Sequence, residues 1–82
     1  MKFMDKVLVI LLNRNNDYVR PFNVIGNVDD VAYRLSYESK CNQFVYCLYV
    51  LNDVSSSYIP MYYLYNGRIY EAKDHFVRVV HG

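Results

Sequence analysis

The sequence predicts an α+β fold: a mostly antiparallel sheet with one helix packed on a face, in the order β-β-α-β-β-β. Three observations predict it. Two runs, 6–12 and 43–51, are apolar at positions of both parities, as central strands covered on two sides are. One segment, 27–40, carries apolar residues at helical spacing behind a capping residue. Asn66-Gly67 sits between two alternating apolar runs, and Asn-Gly is the strongest short-range hairpin signal because both turn positions take positive φ.

The elements follow in order. Residues 6–12 (Lys-Val-Leu-Val-Ile-Leu-Leu) form the first strand, and Asn13–Asp17 a polar turn. Residues 18–25 form a weaker second strand; Pro21 cannot donate to a ladder, which assigns this strand to an edge or a bulge. Asn27 is the expected helix N-cap. Asp29 and Asp30 favour the positive end of the dipole, with Asp30 at the capping-box position. Val28, Val31, Ala32 and Leu35 make the buried stripe of a helix running to about Lys40. Asp30, Arg34 and Glu38 succeed one another at i, i+4 on its wet side, each pair contributing a few tenths of a kcal/mol.

In the third strand, 43–51, Phe44, Tyr46, Leu48 and Val50 point one way, and Val45, Cys47, Tyr49 and Leu51 the other. After a loop over 52–57, strands 58–65 and 68–72 flank Asn66-Gly67. Counting outward pairs Tyr65 with Arg68, Leu64 with Ile69, Tyr63 with Tyr70 and Tyr62 with Glu71. Phe76-Val77-Arg78-Val79-Val80 is β-branched and reads as a last strand, with a short helix over 74–80 the alternative. A single helix cannot cover both faces of such a sheet. The sheet must curl on itself, or a second subunit or partner must cover the other face.

Composition bounds the rest. The 82 residues make one domain, 1–82, near the lower size limit for a core without staples. Ten residues are Tyr and only three are Gly. Scarce Ala, Gly and Pro beside abundant Asn and Tyr fits AT-rich coding, and with it a phage or other viral source. Nine basic against eight acidic residues, interleaved, create no field that favours nucleic acid or an anionic membrane. The apolar run at 7–12 is too short for a signal peptide or a membrane span and is followed by Asn-Arg-Asn-Asn-Asp. A soluble, cytoplasmic protein is therefore expected, in the host cytoplasm if the source is viral. In that compartment Cys41 and Cys47 stay thiols.

Candidate chemistry is sparse. Cys41 and Cys47 lack the paired spacing of a zinc site, and Cys41 falls just past the expected helix end, where the dipole disfavours a thiolate. Asp74-His75, with Glu71 nearby, offers acid–base groups, but strand neighbours point to opposite faces. His81 lies six residues beyond His75. No nucleophile elbow, P-loop, dinucleotide turn or HExxH occurs. No enzyme activity, cofactor or metal is expected.

The hairpin register leaves one arrangement to consider. It sets Met61, Tyr63, Tyr65, Arg68, Tyr70 and Ala72 on one face, against Tyr62, Leu64, Ile69 and Glu71 on the other. Tyr and Arg are enriched at interface hot spots, and Arg68 beside Tyr65 offers a cation–π contact. The plain alternative is that this set is core or solvated sheet. The sequence thus points to a small non-enzymatic protein-binding module, an inhibitor or adaptor of a host protein, that forms homodimers. Its partner-binding residues are Met61, Tyr63, Tyr65, Arg68 and Tyr70. The other class to consider is a single-stranded nucleic-acid module stacking bases on the same aromatics. It has no RNP-like pattern or basic run to accompany it.

Overall fold

The computed structural model describes residues 4–72. Five strands, β1 (Asp5–Leu12), β2 (Tyr18–Gly26), β3 (Val45–Asn52), β4 (Ser57–Tyr65) and β5 (Arg68–Glu71), form one sheet in the order β2-β1-β3-β4-β5. Every neighbouring pair is antiparallel. The helix α1 (Val28–Asn42) connects β2 to β3. The expected order β-β-α-β-β-β is the observed one. The last-strand reading of 74–80 lies outside the described residues.

Local chemistry sets each joint. In the β1–β2 turn the Asn13 side chain accepts from the backbone N–H of Asn15 (2.8 Å) and of Asp17 (3.0 Å). Asn16 takes the left-handed φ of 65° that Asn tolerates. Pro21 does sit on an edge strand, opposite Ile10. Asn27 caps α1 by accepting from the N–H of Asp29 (2.9 Å) and of Asp30 (3.2 Å). The helix runs two residues beyond Lys40, because Gln43 adopts φ 62° and its N–H closes the last turn on the Ser39 carbonyl. Cys41 therefore lies within the last turn of α1, not past it.

The hairpin has the expected register at all four pairs, with Asn66 at φ 53° and Gly67 at φ 79°. Two register shifts interrupt the other ladders. One leaves Val19 between Arg20 and Tyr18 opposite the end of β1; the other leaves Met61 between Tyr62 and Pro60 opposite β3. Such extra residues bend a strand and raise its twist.

The main core fills the space between α1 and one sheet face. Val7 and Val9 of β1, Leu48 of β3 and Leu64 of β4 are fully buried there with Val31 and Ala32 of α1, and Leu35 packs beside them. The other face, called here the far face, carries a smaller cluster. Leu12, Val45, Cys47 and Ala72 are buried in it, with Ile10, Tyr49 and Tyr63 packed around them. The two-sided greasiness of strands one and three thus corresponds to two clusters on opposite faces. Among the described residues no helix is long and apolar enough to cross a membrane.

Candidate protein-binding face

Register decides which hairpin residues share a face. Leu64 and Tyr62 pair with Tyr46 and Leu48 of β3, so they look toward α1. Tyr63 pairs with Cys47 on one side and Tyr70 on the other. Tyr63, Tyr65, Arg68 and Tyr70 therefore lie together on the far face, at the side of the sheet where β4 and β5 meet. Met61 does not join them. It is the extra residue of the β4 irregularity, and its side chain packs against the helix-side core. Simple alternation breaks at that residue, which is why the sequence places it with the tyrosines and the structure does not.

Within the set, burial grades from the sheet interior outward. Tyr63 and Tyr70 are half-buried and stack with ring centroids 4.9 Å apart and planes 21° from parallel. Tyr65 is 43% exposed, and Arg68, its cross-strand partner, is also exposed. Among the described residues the cation–π contact is elsewhere, with the Arg20 guanidinium 5.5 Å from the Phe22 ring centroid on the helix side. A shallow pocket beside Tyr63 and Tyr65 is lined by Val45 and by Arg14 and Asn16 of the β1–β2 turn. The sequence alone does not reveal this neighbour: Arg14 reads as a turn cation, and only strand order brings it across to β4.

Burial of ionisable groups on this face works against reactivity. Cys47 has no exposed surface, and desolvation pushes its thiol up to about 12. The Tyr49 hydroxyl is likewise pushed up to about 12, chiefly by burial. Cys41 is exposed on α1 and Cys47 buried in β3, both as free thiols. No group of three or more His, Cys, Asp or Glu able to hold a metal ion occurs among the described residues. Asp29 and Asp30 serve the start of α1 as the sequence expects. Asp74, His75 and His81 lie outside the described residues.

A second surface feature escapes sequence reading. The hairpin turn docks on α1: Ser39, fully buried, donates from its Oγ to the Ser36 carbonyl (2.7 Å) and accepts from the Gly67 N–H (3.0 Å). Exposed Tyr33 and Tyr37 meet edge-to-face on the helix beside this joint, with centroids 5.9 Å apart. No family model matches the chain, and no match is found among curated proteins or solved structures.

Proposed function

We propose that the chain is a small non-enzymatic module that binds another protein through the far face, with Tyr63, Tyr65, Arg68 and Tyr70 as anchors. The observation that carries this reading is the assembly of three tyrosines and an arginine on one sheet face, with the inner pair locked by stacking. Aromatic rings held in place lose little entropy on association, and Tyr and Arg give large contact area with a polar tip. Met61 is no longer among the anchors. A second copy of the chain is one partner for the same face, which makes the module a homodimer. An inhibitor or adaptor of a host protein, encoded by a virus or phage, is the biological role we assign to it.

The test uses Tyr65→Ala with Arg68→Ala, since these exposed side chains leave the Tyr63–Tyr70 stack and the core untouched. A tagged 82-residue chain is expected to capture its partner from lysate with nuclease present, and the double variant to lose it. In sedimentation the wild type is expected to show a concentration-dependent dimer that the variant weakens. Material that disappears on nuclease treatment overturns the reading in favour of single-stranded nucleic acid. A partner held equally by the variant shows that the face is not the site.

A further inference from the structure

Two guanidinium groups flank Tyr65, and no carboxylate of a described residue pairs with them. Arg14 lines the pocket whose other walls include Tyr63 and Tyr65. It stands on a turn pinned at both ends, where Asn13 N–H donates to the Asp17 carbonyl and Asn16 N–H to the Asn13 carbonyl, each at 2.9 Å. Arg68 follows the two-residue hairpin turn and pairs directly with Tyr65. Both are exposed, and neither makes an ion pair with a described residue. Arg20, by contrast, lies over Phe22, and the Asp29 carboxylate takes the Tyr62 hydroxyl.

Resting on the protein-binding reading above, we propose that the far face selects an acidic segment of its protein partner, whose carboxylates seat beside Tyr65 between Arg14 and Arg68. Arginine suits this because its planar fork matches a carboxylate with two parallel hydrogen bonds and is weakly hydrated. The tyrosines supply the apolar floor on which the segment's stems lie. A nucleic-acid strand is the less favoured occupant of the same chemistry. One face of the Tyr63 ring is already stacked on Tyr70 and so does not serve as a base platform. Nine basic residues against eight acidic ones also forgo most counterion-release affinity.

The experiment titrates the isotope-labelled full chain with three probes: a random copolymer of Glu and Tyr, a copolymer of Lys and Tyr, and oligothymidylate. Amide and guanidinium resonances are the readout. The Glu–Tyr copolymer is expected to shift the Arg14 and Arg68 Nε–H signals together with the amides of Asn16 and Tyr65. Arg14→Glu with Arg68→Glu is expected to weaken that binding at least tenfold, while Arg20→Glu leaves it unchanged. Equal loss in Arg20→Glu means attraction to net charge only and overturns the proposal. So do unshifted Arg14 and Arg68 signals, equal shifts with the Lys–Tyr copolymer, or tighter binding of oligothymidylate. If the double charge reversal still holds the lysate partner as tightly as wild type does while Tyr65→Ala loses it, the acidic-segment inference fails and Arg68 is no anchor, but the protein-binding reading stands on the tyrosines.

Discussion

The Tyr62 hydroxyl donates to the Asp29 carboxylate at 2.6 Å, joining β4 to the first turn of α1 across 33 positions of sequence. One carboxylate thus serves the positive end of the helix and holds the sheet beneath it.

That bond keeps the Tyr62 hydroxyl protonated: the Asp29 hydrogen bond first, then burial, push it up to about 12 from an ordinary value of 10.0. With the folded value above the unfolded one, the stabilisation is complete below pH of about 10 and drains away as pH rises toward about 12. In Tyr62→Phe this part of the alkaline loss disappears. Denaturant midpoints between pH 8 and 12 check it: the gap between wild type and variant narrows with rising pH, and a constant gap contradicts the account.

Ser39→Ala removes the acceptor for the Gly67 N–H and is expected to cost about 0.5–1.5 kcal/mol, the net contribution of a typical hydrogen bond, since Gly67 is exposed and water can take its place. Gly67→Ala acts on the same joint from the other side. Its φ of 79° is unfavourable for a side chain, and a Cβ there comes within 3.2 Å of the Lys40 Cβ. The left-handed conformation alone costs about 1–2 kcal/mol. Urea denaturation of both single variants and the double variant measures these losses. Because both changes act on one contact, they are expected to be less than additive.

The Tyr63–Tyr70 stack is expected to show a coupling of about 0.5–1.5 kcal/mol in a double-mutant cycle to Leu, beyond the area each ring buries. Additive losses, read from urea midpoints, would show that the two rings act independently.

The two thiols should separate in a labelling experiment at neutral pH. Cys41, exposed in the last turn of α1, reacts at a rate set by its access to solvent. Cys47 reacts only through opening of the sheet, because it is buried and its thiol is held up to about 12. A disulfide-exchange reagent followed by mass spectrometry is expected to show one fast and one slow site. Comparable rates would mean that β3 opens far more readily than its packing implies.

Much of the fold is legible because each signal is local. Asn66-Gly67 states its turn type, and the register follows by counting; Asn27 before Asp29 and Asp30 announces the start of a helix. The helix end is less legible, since Gln43 rather than Gly adopts the left-handed cap. Met61 misleads for a similar reason. The extra residue in β4 is defined by its pairing with β3, and no residue type near it announces the shift. Ser39 looks like one more polar helix position until the hairpin turn is laid on it. The tyrosine face is half legible. Alternation groups Tyr63, Tyr65, Arg68 and Tyr70, while Arg14 joins them only through the order β1-β3-β4 in space.

The two borders of the sheet, as the described strands form them, are both poor templates for a further strand. β2 carries Pro21 in mid-strand, and β5 is four residues long. A ribbon that grows by adding strand to strand needs an uninterrupted row of donors, and neither border offers a long one. Among the described residues, neither border therefore favours growth strand by strand. A chain rich in tyrosine and β-branched residues thus carries, in its described strands, two devices that oppose ribbon-like growth.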